Sequence, residues 1–210
     1  MIHEILPVGL LQCNCSIFGD ESTREAMVVD PGDNVEEIVA ILDRHGLRVK
    51  CIVITHAHID HIGGAADLKS RVGAPVYMNA NDQGLYDHLD MQAAWLGMEA
   101  PARTGVDTPV RDGDSIRMGE TEFQVLHTPG HTQGSSCLLV PTQNLLVAGD
   151  TLFLDSIGRT DLPGGDHRQI LRSIRDKLWP LPEETRVIPG HGRNTTIGRE
   201  KELNPFLRAL

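Results

Sequence analysis

The chain has 210 residues, 40% of them hydrophobic, which is enough to bury one core and short for two. A formal charge of −10 and an isoelectric point near 5.4 weigh against nucleic acid or an anionic membrane as a partner, because Lys and Arg hold such phosphates. An anionic substrate would need a local positive centre, which bound divalent cations supply.

The N-terminus, M-I-H-E-I-L-P-V-G-L, lacks a basic segment followed by an apolar stretch and a small-residue cleavage site, so no secretory signal is read and the cytoplasm is the expected location. No apolar run approaches the length needed to span a bilayer. Cys13, Cys15, Cys51 and Cys137 do not follow zinc-ribbon spacing, and reduced, mostly buried thiols are expected. A Cys13-x-Cys15 metal site is the sharper alternative.

In chain order, Ile2 to Val8, Cys15 to Gly19 and Ala26 to Asp30 read as strands, with Pro31-Gly32 as a turn. Val35 to His45 has helical periodicity and Gly46 is placed as its cap. Val49 to Thr55 is a continuous apolar strand of the kind buried on both faces. His61 to Val72 reads as a helix, Pro75 to Met78 as a strand, and Asn81 to Leu96 as a helical excursion over the surface. Gly97 to Pro109, rich in Pro, Gly and Thr, is the expected connection between two halves. Ser115 to Met118, Thr121 to Thr128, Ser135 to Val140 and Leu145 to Gly149 read as strands. A helix over Asp166 to Leu178 with Asp166 as N-cap, a last strand at Arg186 to Pro189 and a short terminal helix complete the pattern. Two strand-rich halves flanked by helices predict two sheets packed face to face with helices outside.

The chemistry is concentrated in T-H-A-H-I-D-H-I-G-G, Thr55 to Gly64, directly after the apolar strand. His56 and His58 lie two apart, so in an extended segment they leave the same face and can converge on one ion. Asp60 and His61 fall where the chain turns into a helix and can reach a second position a few ångströms away, as two-metal hydrolytic sites require. Gly63 and Gly64 permit close backbone approach. His131 in T-P-G-H-T-Q-G-S, Asp150 in L-V-A-G-D-T-L-F and His191 in V-I-P-G-H-G each follow a strand end. Seven ligands exceed what one tetrahedral ion uses. Imidazole and carboxylate without thiolate suit zinc, with iron or manganese as alternatives, so two divalent ions per chain are expected.

These motifs resemble the metallo-β-lactamase superfamily, and more closely its small bacterial glyoxalase II-like (hydroxyacylglutathione hydrolase-like) members. The likeness extends to I-G-R-T-D-L-P-G-G at Ile157 to Gly165 and T-T-I-G-R-E at Thr195 to Glu200. It implies an αββα sandwich (an α/β, α+β fold of two mixed β-sheets) as a single domain over 1–210. One metal would take His56, His58 and His131, the other Asp60, His61 and His191, and Asp150 would bridge. No additional C-terminal helical region, of the kind that contributes to glutathione recognition in full-length glyoxalase II enzymes, is expected after the last ligand. His58 stands where diiron flavoproteins of the superfamily usually have Glu, which argues against that branch, and the long insertions of nuclease relatives are missing.

A dinuclear, metal-dependent hydrolase acting on a small thioester or ester of the S-2-hydroxyacylglutathione type is the leading expectation. Two ions sharing a water would lower its pKa towards neutrality and make it a hydroxide nucleophile. Asp60 and Asp150 are the catalytic candidates, Asp60 with proton transfer as a possible second role beside ligation. The resemblance places Asp30 behind a ligand, where it would fix an imidazole's tautomer. His127 is a candidate for orienting the His131 loop, and Arg159 and Asp161 for shaping the site, binding substrate or forming an ion pair. His3, His45, His88 and His167 read as surface or capping residues. Trp95 and Trp179 read as packing residues, with Tyr86 and Trp95 as candidates for a pocket border. The competing reactions are a persulfide dioxygenase with one iron on His56, His58 or its spatial equivalent, and Asp150, and a lactonase or other ester hydrolase on the same core.

Overall fold

Strands that are apolar at every position must be covered on both faces, and the computed structural model, which describes residues 1–208, shows how each is covered. β1 (Ile2–Val8), β2 (Cys13–Gly19), β3 (Glu25–Val29), β4 (Arg48–Ile54), β5 (Val76–Asn79) and β6 (Thr108–Val110) form one sheet in that order. It is antiparallel from β1 to β3 and parallel from β3 to β6. The second sheet contains β7 (Ser115–Met118), β8 (Thr121–His127), β9 (Ser136–Val140) and β10 (Leu145–Gly149). A separate hairpin, β11 (Leu152–Phe153) and β12 (Ser156–Ile157), follows before β13 (Arg186–Pro189) and β14 (Thr195–Thr196) return to that sheet. Its order is β14-β13-β10-β9-β8-β7, and only β10 and β13 run parallel.

Alternate residues of the same strand serve different cores. Phe18, Met27, Val29, Cys51 and Val53 of the first sheet meet Phe123, Val125, Leu138, Val140 and Val147 of the second between the sheets. Their neighbours Ile17, Val28, Ile52 and Ile54 face outward against α1 (Val35–Arg44), α2 (Ile59–Ile62), α3 (Ala65–Val72), α4 (Gln83–Tyr86) and α5 (Leu89–Leu96). Cys137, Leu139, Leu146 and Val187 face α6 (His167–Ser173), the wider turn Ile174–Leu178 and α7 (Ile197–Leu203). This is the αββα sandwich, two mixed sheets face to face with helices outside. Among the described residues no helix is long and apolar enough to cross a membrane.

The parallel pairings fix where the site can be. β3 and β4 run the same way, as do β10 and β13, and β8 runs with β10 because both are antiparallel to β9. The loops carrying Asp30, His56, His131, Asp150 and His191 therefore all leave carboxyl ends of strands. The sheets meet there, where Ser136 N–H donates to the Thr55 carbonyl at 2.9 Å.

Several expectations are corrected. The helix read over His61 to Val72 is two helices broken at Gly63-Gly64, which lie against the Pro31-Gly32 backbone: a Cβ on Gly63 would come 2.8 Å from the Gly32 carbonyl oxygen. The excursion is likewise divided, by the turn between Tyr86 and Leu89. The connection Gly97 to Pro109 ends inside β6, an edge strand, where Pro109 is tolerated because one side of the strand has no partner. The short β11, β12 and β14 are additional to the predicted strands. Asp166 caps α6 as expected, accepting from Gln169 N–H at 2.9 Å. All four cysteines are free and buried. His3 is not a surface residue: it is half-buried and stacked on Phe18 with ring centroids 4.1 Å apart.

Two predictions follow from this packing. A Cβ at Gly32 would overlap the Asp60 carbonyl, whereas one at Gly84 would meet nothing. Gly32→Ala is expected to cost about 3 kcal/mol or more, and Gly84→Ala to be neutral or stabilising by up to about 1 kcal/mol, in urea unfolding. Burial first, then the Arg186 charge, lowers the His3 pKa from 6.5 to about 4. Its neutral form is thus favoured by folding: the contribution is complete above pH 6.5 and declines as pH falls towards 4. His3→Phe, which cannot titrate, should lose stability less steeply across that interval.

Candidate metal centre

Six of the seven predicted residues form two clusters and the seventh lies between them. His131 Nε2 is 3.2 Å from His56 Nε2 and 2.9 Å from His58 Nδ1. His61 Nε2 is 3.3 Å from His191 Nε2, which is 3.1 Å from Asp60 Oδ2. Asp150 directs Oδ2 to His131 Nε2 at 3.5 Å and Oδ1 to His61 Nε2 at 3.4 Å. Each cluster satisfies the proximity expected of donors that could hold one cation. His56 and His58 converge although Thr55 to His58 bends instead of extending β4.

The outer nitrogens decide what the inner ones present. His131 Nδ1 is 2.8 Å from the Arg159 carbonyl and His191 Nδ1 is 2.9 Å from the Leu11 carbonyl; a carbonyl only accepts, so both Nδ1 carry hydrogen. His61 Nδ1 donates to Asp30 Oδ2 at 2.9 Å. The Thr55 hydroxyl gives its hydrogen to Asp30 Oδ2 at 2.7 Å and so accepts from His56 Nδ1 at 3.1 Å. The Nε2 atoms of His56, His61, His131 and His191 are thereby turned inward, His56 and His131 3.2 Å apart and His61 and His191 3.3 Å apart, so that a positive charge, a proton or a cation, relieves their repulsion. Asp150 Oδ1 is buried with no hydrogen-bond partner, which would be costly unless a cation took that lone pair. The donor set thus fits divalent cations.

Electrostatics favour neutral imidazole at His56 and His58 and ionised carboxylate at Asp60 and Asp150, whereas His61 and His191 are raised, His191 because Asp60 and Asp150 outweigh the opposing effect of burial. Burial, reinforced by neighbouring imidazoles, holds the His56 pKa well below its usual value and pushes His58 down to about 3, with His131 the next cause. For Asp150, burial opposes ionisation, but His61, His131 and His191 keep the carboxyl well below the usual range. His61 is raised: burial works against its charge, and Asp150, Asp30 and Asp60 are among the groups that outweigh it. A cation at this position must compete with that proton. Cys13 Sγ lies 3.5 Å from His61 Nδ1, on the outer side of the ring; burial pushes its thiol up to about 12, so it backs the imidazole as a neutral group.

Asp30 adopts φ +54°, a left-handed conformation that aims its carboxylate at both His61 and Thr55. His127 Nε2 donates to the Gln133 carbonyl of the His131 loop at 2.9 Å. Arg159 and Asp161 form an exposed bidentate ion pair, with contacts of 2.8 and 2.7 Å. Arg159 reaches the site chiefly through its backbone carbonyl. Trp95 is 63% exposed and borders the cleft, whereas Tyr86 is buried and bonded to Thr104, the reverse of a packing role for the tryptophan. Trp179 packs against the outer core of the second sheet. His45 caps α1 and pairs with Glu4, and His88 and His167 are exposed.

Three positioning residues were not singled out from the sequence. Buried Asp82 accepts from Ala57 N–H at 3.0 Å and the Thr132 hydroxyl at 2.8 Å, tying the His56–His58 segment to the His131 loop. Gln92 accepts from Ile59 N–H at 2.9 Å and donates to the Ala57 and Leu85 carbonyls. Asn14 donates to the Pro189 and Gly192 carbonyls, both at 3.0 Å, holding the His191 turn. Apart from the Leu85 carbonyl, seven positions from Gln92, their partners lie 25 to 178 positions away in the chain, beyond the reach of local pattern. The one local signal is Asn79-Ala-Asn-Asp82, helix-capping residue types before a helical segment.

A cluster of His and Asp side chains that could hold cations, at the carboxyl ends of two facing sheets, is the arrangement of a metallohydrolase-type αββα protein. Residues 8–191 match the metallo-beta-lactamase superfamily, and the chain belongs to that superfamily, whose members are mostly hydrolases. It is 36% identical over 213 residues to the hydroxyacylglutathione hydrolase GloC of Haemophilus influenzae, with 98% of each protein covered. The crystal structure of the BLEG-1 B3 metallo-beta-lactamase is similar with a TM-score of 0.92 and 37% identity, over 99% of this chain and 100% of that one. That of TTHA1623 in a di-iron-bound form gives 0.89 and 38%, over 97% and 100%.

Asp30→Asn keeps the shape but removes the charge behind His61. It is expected to weaken zinc retention by about 10- to 100-fold in chelator competition.

Proposed function

We propose that this protein is a dinuclear metal-dependent hydrolase that cleaves a small-molecule thioester or ester. The observation supporting it is the pair of His/Asp clusters with the unpartnered Asp150 oxygen between them. His56, His58 and His131 would hold one cation and Asp60, His61 and His191 the other, with Asp150 shared; zinc suits these donors, and the di-iron-bound relative makes iron the main alternative. Bound there, the cations supply Lewis acidity and lower the pKa of a water.

The protein's own groups do the rest. The outer hydrogen bonds from His131, His191, His61 and His56 fix the rings, so no reorientation accompanies the reaction. Asp60 is partly open to the cleft, and its pKa is lowered because His61 and His191 overcome the opposing effect of burial. Ionised, it serves as ligand. Hydrolysis forms a C–O bond from water, breaks the C–S or C–O bond of the substrate and delivers a proton to the leaving sulfur or oxygen. GloC supports a hydroxyacyl thioester as the first substrate to try.

A mononuclear iron on His56, His58 or its spatial equivalent, and Asp150, the arrangement expected of a persulfide dioxygenase, would leave Asp60, His61 and His191 converged with no cation to share. A lactone is an internal ester and would use the same centre. Metal analysis of protein purified without added metal, paired with a thioester, lactone and persulfide panel, separates these. About two metals per chain with thioester or ester hydrolysis is expected. Asp150→Ala should lower turnover by about a hundredfold or more. One iron per chain, with oxygen uptake on a persulfide, would overturn the reading.

A further inference from the structure

Two adjoining chambers lie beside the candidate centre. The first, of about 530 Å³, has the candidate ligands on one wall and Leu11, Leu85, Trp95, Leu96, Leu162 and Pro163 on the other. The second, of about 360 Å³, contains no candidate ligand and includes His88 and Met91. Leu85, Gln92, Trp95 and Pro163 border both, so Trp95 stands at the division between them.

Asp82, Gln92 and Gln133 of the second chamber are already occupied, and its other hydrogen-bonding side chains include the exposed Asn81 and His88. The Asp82 carboxylate accepts from Ala57, Thr132 and Gly134. The Gln92 amide is used by Ile59, Ala57 and Leu85, and Gln133 donates to the Gly164 carbonyl and Gln169. Arg159 is the one Lys or Arg lining either chamber, and Asp161 neutralises it through two hydrogen bonds. Away from the cations that the candidate centre would hold, an arm bearing several carboxylates would meet no unpaired Lys or Arg in either lining, in a chain whose formal charge is −10. Meanwhile Met91 and Leu11 are 48% and 45% exposed beside the still more exposed Trp95, an apolar surface contiguous with a reactive centre.

Resting on the hydrolase reading above, we propose that one arm of the substrate is uncharged and apolar, an alkyl or aryl chain, and that it passes Trp95 from the first chamber into the second. Trp95 is then a specificity-determining residue, and the favoured substrate class is a medium-chain or aryl acyl thioester or ester with a neutral leaving group.

The test uses metal-loaded full-length protein and N-acetylcysteamine thioesters from acetyl to octanoyl, with the same acyl groups on glutathione for comparison. In parallel, S-alkyl-N-acetylcysteamine thioethers, which cannot be hydrolysed, are titrated while tryptophan fluorescence is followed. We expect kcat/KM and thioether affinity each to rise about two- to fourfold per methylene. In Trp95→Ala the increment should fall below about 1.5-fold, and Trp95→Phe should restore most of it. Trp95→Phe should also abolish the fluorescence response, since Trp179 lies in the other outer core. Hydrolysis with no chain-length dependence, or a glutathione thioester preferred more than about tenfold over its neutral counterpart, would overturn this proposal and leave the hydrolase reading intact. Chain-length-dependent thioether binding without hydrolysis of any thioester or ester would support the subsite and remove the hydrolase reading.

Discussion

Everything at the centre depends on hydrogen bonds that face away from it. Each of four imidazoles is fixed by an acceptor on its outer nitrogen: two carbonyls, one carboxylate and one hydroxyl. That arrangement turns the inner nitrogens toward one another, with His56, His61 and His131 buried from water. A cation entering there would bind the folded chain in preference to the unfolded one, so cation binding would add to stability. The acceptors come from four distant parts of the chain: the β1–β2 hairpin, the left-handed turn after β3, the residue before His56, and the segment after β12. The fold exists at this edge to hold acceptors still.

The sandwich makes that possible by a division of labour along each strand. Alternate residues are bound into the inter-sheet core and the helix-facing cores, so a strand cannot slip by one residue without exchanging both. Register thus fixes where each strand stops, and the stops set where the ligands begin. Close backbone approach completes the site: a Cβ on Gly190 would overlap Asp150 Oδ1 and come 2.7 Å from His61 Cε1. At the far end of the chain Glu200, buried in α7, accepts from Asp155 N–H at 2.9 Å and Asn204 Nδ2 at 2.8 Å. The T-T-I-G-R-E segment therefore secures the hairpin beside the site, and is structural.

What could be read without coordinates follows the range of the interactions. His56, His58, Asp60 and His61 announce themselves because they are neighbours in sequence, and His131, Asp150 and His191 because each follows an apolar strand and a glycine or turn. The two strand-rich halves, each flanked by helices, likewise predict two facing sheets. Asp82, Gln92 and Asn14 escape because their partners are backbone groups of remote loops, which no residue type encodes. Strands β6, β11, β12 and β14 escape because two or three residues carry no period, and Pro109 disguises β6 as loop. His3 departs from its expected surface position, and Trp95 takes the pocket-border role and not the packing role. Burial depends on what the rest of the chain brings to them, here Phe18 against His3 and an open cleft beside Trp95.

The centre and the cleft answer different questions. A shared His/Asp core specifies a cation and the class of bond it can polarise, and relatives with this fold carry names as different as a lactamase and a hydroxyacylglutathione hydrolase. Discrimination among substrates must come from groups that never touch the reacting carbon, because interactions with a remote arm can be used to lower the barrier as well as to bind. Those groups lie on the loop after β1, on α4 and α5, and on the Leu162-Pro163 turn. Gln92 joins them to the ligands physically: one amide holds both the Ile59 N–H beside the ligands and the Leu85 carbonyl of the apolar wall. A change in the wall that displaced α5 would therefore move the metal loop too, so specificity here can shift freely only at side chains, such as Trp95, that project from α5 without carrying its anchoring bonds.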